Sequence, residues 1–152
     1  MEKEFSRRSF LKVGTTAALG LAVAPSMLMG RSKKKDAAPK PLDRKLKVLG
    51  VGIGGRGASV LKELETEEII GLCDVDWKYA AHVFERYPNA KRYNDYKVMY
   101  AELLDEADAV VVATADHTHA IIAAEAIVAG KHVYVEKPLT HTVYESRLLT
   151  KL

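Results

Sequence analysis

Cysteine is nearly missing from this chain. Its 152 residues include one, Cys73, so no internal disulfide framework can form. That cysteine ends an apolar run that reads as a buried strand, which makes a structural thiol the simplest reading. Metal-ligand clusters are wanting too. His117 and His119 have no third ligand at metal spacing, which argues against zinc. Long apolar runs are scarce. Val13 to Met29 is interrupted by Gly14, Thr15, Thr16, Gly20 and Pro25, too polar and short for a clear membrane span. A net basic charge is absent from the body: residues 1–44 carry a net +6 and residues 45–152 a net −3. Without a basic stripe the body does not read as a nucleic-acid binder.

What is there begins at Leu46. An apolar run, Leu46 to Val51, enters a glycine cluster in which Gly52, Gly54 and Gly57 stand in G-x-G-x-x-G spacing. Ala58, Leu61 and Leu64 then share one helical face, and a second apolar run, Ile69 to Cys73, ends at Asp74. Strand, glycine turn, helix, strand and acid in that order describe a dinucleotide-binding unit. The first glycine permits the turn, the second lets backbone approach a pyrophosphate, and the third lets helix and strand pack closely. Free N–H groups at the helix start face the phosphates. Asp74 falls 22 positions after Gly52, near the roughly 20 expected of a ribose-binding carboxylate. Gly50, Gly52 and Gly55 fit the same spacing, but Gly52 as first glycine leaves the strand unbroken to Val51. From these residues alone, another α/β turn or an adenosyl-cofactor site stays open.

The N-terminus carries Ser6-Arg7-Arg8-Ser9-Phe10-Leu11-Lys12 before its mildly apolar stretch, and resembles a twin-arginine export signal. Residues 1–30 are expected to be that signal, residues 31–44 a charged, proline-containing linker, and residues 45–152 the folded domain. Ala22-Val23-Ala24 offers a cleavage site, although Pro25 follows it directly, so an uncleaved membrane anchor is the alternative. The signal implies a periplasmic protein handed to the twin-arginine export machinery.

Further along, helical spacing covers Trp77, Ala80, Ala81 and Phe84, with Trp77 as a packing residue. Ala90 to Tyr93 reads as an edge strand, and a helix carries Tyr96, Met99, Tyr100 and Leu103 on one face. Ala109 to Ala113 fits a parallel strand covered on both sides. It ends at Thr114-Ala115-Asp116-His117-Thr118-His119, beyond a strand's carboxyl end where ligands sit. Asp116 or Thr118 could instead merely cap the next helix, Ala120 to Ala129, which Gly130 closes. Strand Lys131 to Val135 runs into Glu136-Lys137-Pro138-Leu139, again on the ligand side. An ammonium there can hydrogen-bond a substrate hydroxyl or a nicotinamide carboxamide, and the plainer reading of Glu136 is a strand-end ion pair. Lys137–Pro138 is the expected cis peptide.

Four motifs stand in a familiar order: G-x-G-G-R-G at Gly52 to Gly57, C-D-V-D at Cys73 to Asp76, A-T-A-D-H-T-H at Ala113 to His119, and A-G-K-H-V-Y-V-E-K-P-L at Ala129 to Leu139. The chain resembles the N-terminal half of the glucose–fructose oxidoreductase, inositol dehydrogenase and MocA (Gfo/Idh/MocA) family. The resemblance implies an α/β fold, a doubly wound Rossmann sheet of parallel strands, cut off before a C-terminal α/β substrate domain. It assigns Gly52, Gly54 and Gly57 to the pyrophosphate and Asp74 to the adenosine ribose, with Ile53 also cofactor-binding and Arg56 beside the phosphates or adenine. Thr114 and His119 would line the nicotinamide ribose. Glu136 and Lys137 would hold the nicotinamide end, with Lys137 as the catalytic residue facing substrate. The family usually has proline where Ala115 stands.

Thr142 and Glu145 form a capping box for a last helix whose face carries Tyr144, Leu148 and Leu152. The resemblance implies that the chain is a piece of an exported oxidoreductase, inactive alone, whose whole form is a homo-oligomer. The expected chemistry is hydride transfer on a sugar, polyol or glycoside with a retained cofactor. Asp74 favours NAD, with NADP possible. An NAD-dependent glycosidase using transient oxidation, or a non-catalytic nucleotide-binding remnant, are the rival expectations.

Overall fold

The computed structural model describes residues 43–152, so the twin-arginine signal and most of the linker lie outside the described residues. The domain alternates strand and helix from end to end. Strand β1 (Lys47–Val51) leads through the glycine turn to helix α1 (Arg56–Glu63) and strand β2 (Glu68–Cys73). Helix α2 (Ala81–Arg86), strand β3 (Lys91–Tyr93), helix α3 (Tyr96–Leu103) and strand β4 (Ala109–Val112) follow. Helix α4 (Asp116–Val128), strand β5 (His132–Val135) and helix α5 (Val143–Lys151) complete it.

All five strands are parallel, in the order β3-β2-β1-β4-β5. The chain crosses from β3 over β2 and β1 to reach β4, so the order reverses beside β1. Neighbouring connections leave opposite ways there, and a crevice opens at the strands' carboxyl ends.

Period-two alternation splits the core. Val48, Leu72 and Val111 pack with Leu61 of α1 and with Val83 and Phe84 of α2. Leu49, Val51, Val110 and Val112 point to the opposite face, against Met99 and Tyr100 of α3 and Ile122 and Ala126 of α4. β1 is thus covered on both sides, which is why it reads as one continuous apolar run. Each such buried aliphatic or aromatic side chain contributes about 1.5–3 kcal/mol of transfer free energy.

Two helix starts differ from those read in the sequence. α2 begins at Ala81, not at Trp77, because Asp76 Oδ1 accepts the Tyr79 N–H at 2.9 Å and holds 76–79 as a turn. Trp77 still packs, edge-on to Phe84 at 5.7 Å, and donates Nε1–H to the Tyr93 carbonyl. α4 begins at Asp116, four residues early, and its first turn includes the motif residues. Neither Asp116 nor Thr118 caps it; the N-cap is Ala115, without a side-chain bond.

Other expectations are met. Gly130 takes φ +75° and donates to Ile127 O while Lys131 N donates to Ala126 O, the paired bonds of a Schellman ending. Lys137–Pro138 is cis. Thr142 and Glu145 bond reciprocally at the start of α5, and Tyr144, Leu148 and Leu152 of that helix are exposed.

Candidate functional site

A cavity of about 890 Å³ opens at the carboxyl ends of β1, β2 and β4, lined among others by Gly52, Gly55, Asp74, Tyr79, Thr114 and Thr118. It lies at the reversal of strand order, where an α/β sheet binds its ligand.

The glycine turn is built by close backbone contacts. Gly52 follows β1 directly, has φ +77° and donates its N–H to Cys73 O at 2.9 Å. A β-carbon on it would lie 2.6 Å from Thr114 N. A β-carbon on Gly57 would strike the Gly52 carbonyl oxygen. The register with Gly52 first is therefore the one the fold uses, since Gly50 lies inside β1. Gly55, Arg56 and Gly57 donate their N–H groups to no acceptor among the described residues, and α1 has no side-chain cap and no acid in its first turn.

Asp74 faces this turn. Its Oδ2 accepts the Gly54 N–H at 2.8 Å and its Oδ1 accepts the Asp76 N–H at 3.0 Å. A carboxylate has about four acceptor positions, so lone pairs remain for a ribose diol. The carboxylate is thus positioned before any ligand arrives.

On the β4 side, Thr118 Oγ1 stands 2.7 Å from Thr114 Oγ1 and 2.8 Å from the Ala115 carbonyl oxygen. Both threonines line the cavity.

The other site residues named from the sequence sit elsewhere. Ile53 is 1% exposed and packs in the core beneath α1, so only its backbone belongs to the turn. His119 is also buried, and its Nδ1 and Nε2 stand 2.8 Å and 3.0 Å from the carbonyl oxygens of Pro138 and Thr114. Rather than lining the cavity, it ties the β4 loop to the loop after β5. Arg56 points away from the cavity and donates Nε–H to Glu136 Oε1 at 2.9 Å. Glu136 is buried and also accepts from Tyr134 OH and from the Lys137 N–H. The Arg56 guanidinium holds its carboxyl below the usual range despite burial. This is the strand-end ion pair, formed with Arg56. Lys137 is exposed, and its side-chain ammonium has no hydrogen-bond or ion-pair partner among the described residues.

The residues present suit a dinucleotide. The turn has backbone where a β-carbon would fill it, free N–H groups at a helix start, and a carboxylate fixed beside both. Among the described residues no three histidine, cysteine or acidic side chains gather to hold a metal, and no helix is long and apolar enough to cross a membrane.

Fold and site together define a dinucleotide-binding domain of the doubly wound class. Residues 45–152 match the family described as oxidoreductase family, NAD-binding Rossmann fold, and the chain belongs to that Gfo/Idh/MocA family. It is 32% identical to the alpha-N-acetylgalactosaminidase of Shewanella oneidensis, over 91% of this chain and 35% of that protein. It is 25% identical, at TM-score 0.64, to the WlbA dehydrogenase from Bordetella pertussis in complex with NADH and UDP-GlcNAcA, over 71% of this chain and 33% of that one. It is 32% identical, at TM-score 0.61, to GenD2 from gentamicin A biosynthesis in complex with NAD, over 71% and 31% of the two chains. The chain spans about a third of the length of the curated relatives it matches.

Proposed function

We propose that this chain is the nicotinamide-binding portion of an exported oxidoreductase that acts on a sugar, polyol or glycoside by hydride transfer. The observation that carries this reading is Asp74, bonded to the amide of Gly54 at the edge of a glycine turn with three unused N–H groups. Gly52 would form the turn, the backbone N–H groups of Gly55, Arg56 and Gly57 would hold the diphosphate, Asp74 the adenosine ribose, and Thr114 the nicotinamide ribose. When bound, the nicotinamide supplies the hydride chemistry, and the chain supplies aim. The free ammonium of Lys137, beyond β5, is the group offered to a substrate hydroxyl. Arg56, Glu136 and His119 act one step back, fixing the turn, the Lys137 backbone and the two loops against each other.

A carboxylate at position 74 accepts hydrogen bonds from a 2′-hydroxyl and repels a 2′-phosphate, which favours NAD over NADP. The carbohydrate substrate class is supported by the similarity to the Shewanella glycosidase and to a dehydrogenase crystallised with a nucleotide sugar. The glycosidase relative also favours one second reading: an NAD-dependent glycosidase that oxidises its sugar transiently and ends redox-neutral.

Export by the twin-arginine route rests on Arg7, Arg8, Phe10, Leu11 and Lys12, with residues 1–30 as signal and residues 31–44 as linker. A protein carried folded across the membrane leaves the cytoplasmic nicotinamide pool, so the cofactor is retained and regenerated in each cycle. Mass spectrometry of the intact protein purified from the periplasm tests both ideas. Bound nicotinamide dinucleotide is expected; protein in the cytoplasm or without nucleotide contradicts them. Replacing Arg7 and Arg8 together by Lys is expected to keep the protein in the cytoplasm.

A further inference from the structure

Tyr79 lies on the glycine turn. A β-carbon at Gly54 would strike its ring, and one at Gly55 would stand 3.3 Å from its hydroxyl. The phenol therefore spans from the second glycine to the start of α1, and it lines the cavity. Its backbone is fixed: Tyr79 N–H donates to Asp76 Oδ1, and Asp76 N–H donates to Asp74 Oδ1. Its ring is held by contact alone, and the residue is 61% exposed, so turning the ring about the Cα–Cβ bond gives up little buried area. The hydroxyl has no protein partner among the described residues.

We propose that Tyr79 is a cofactor-binding residue that clasps the diphosphate of the dinucleotide, moving off Gly54 to admit it and donating its hydroxyl to a phosphate oxygen. This rests on the dinucleotide reading above. A phosphate approaching the bare backbone of Gly54 needs the space the ring fills. The displaced ring stays anchored one short turn from Asp74, within reach of the start of α1, where the N–H groups of Gly55, Arg56 and Gly57 also face the phosphate. An O–H to phosphate bond is charge-assisted and stronger than a neutral one. Tyr79 thus slows entry with its ring and slows release with its hydroxyl, which suits a cofactor that is kept.

Stopped-flow fluorescence with NADH and the intact protein separates the two actions. Tyr79→Phe keeps the ring and is expected to release NADH about tenfold faster or more, with association unchanged. Tyr79→Ala is expected to speed both association and release. Both variants are expected to melt with the parent, since the ring is exposed. Release of NADH from Tyr79→Phe within about twofold of the parent rate overturns the proposal, as does slower association with Tyr79→Ala. A parent protein that binds no NADH fails earlier, at the dinucleotide reading itself.

Discussion

Gly57 rests on the carbonyl oxygen of Gly52, with no room for a β-carbon between them. That contact joins the start of α1 to the end of β1 and sets where the N–H groups of the turn point. Gly57→Ala pushes helix from strand. A loss of about 1–3 kcal/mol is expected, the range for overpacked sites, together with loss of NAD binding. Gly130 is the control. Nothing lies within 4 Å of a β-carbon there, yet its φ is +75°. Gly130→Ala is expected to cost about 1–2 kcal/mol in thermal or urea unfolding while leaving NAD affinity intact.

Asp74 sets which dinucleotide binds. Removing its carboxylate with Asp74→Ala removes the ribose acceptor and frees the Gly54 N–H. NAD affinity is expected to fall by about 1–3 kcal/mol, while NADP loses a repulsion and falls less. Parallel titrations of the two cofactors read the change in their ratio.

Acid stability runs through the base of the sheet. Arg44 donates to both oxygens of Asp108, at 2.6 and 2.7 Å, and the Lys47 N–H adds a third bond at 2.8 Å. These partners, Arg44 first, hold the Asp108 carboxyl well below the ordinary carboxylate range. A depressed folded value means the contribution is complete above the unfolded carboxylate pKa of about 4 and fades as pH falls through the folded value. Asp108→Asn is therefore expected to melt a few degrees below the parent at pH 7, and the gap is expected to close as pH drops below about 4. Arg44 is more than half exposed, so added salt narrows the gap as well.

Cys73 is 3% exposed, and burial pushes its thiol up to about 12. The thiolate is the nucleophile, so native protein is expected to resist iodoacetamide at pH 8 and to label fully once unfolded in urea. Labelling of the native protein at the unfolded rate contradicts its burial at the end of β2.

The parts of the site that are local in sequence were legible. Gly52, Gly57 and Asp74 announced themselves by spacing, since one strand, one turn and one helix position all three. Thr114 was legible from its place after a buried strand. The roles of Arg56 and His119 were not, because each depends on a partner far along the chain; the ion pair of Glu136 was legible, but not Arg56 as its partner. Arg56 meets Glu136 across 80 positions, and His119 meets the Pro138 carbonyl across 19. Charge and family motif suggested cofactor contacts for these residues, but the packing uses them to brace the loops. Tyr79 left no trace in the pattern, because helical spacing from Trp77 to Phe84 hid a turn made by one Asp76 side chain. The fold itself was plain, since β1 and β4 are apolar runs each followed by a turn and a helix.

The most direct test is calorimetric titration of NAD into the intact protein, stripped of nucleotide, beside the Gly57→Ala variant. One NAD bound per chain by the parent, and none measurable by the variant, is the expected result. Equal binding by the two would place the coenzyme somewhere other than the turn between β1 and α1, and no binding by the parent would contradict the dinucleotide reading itself.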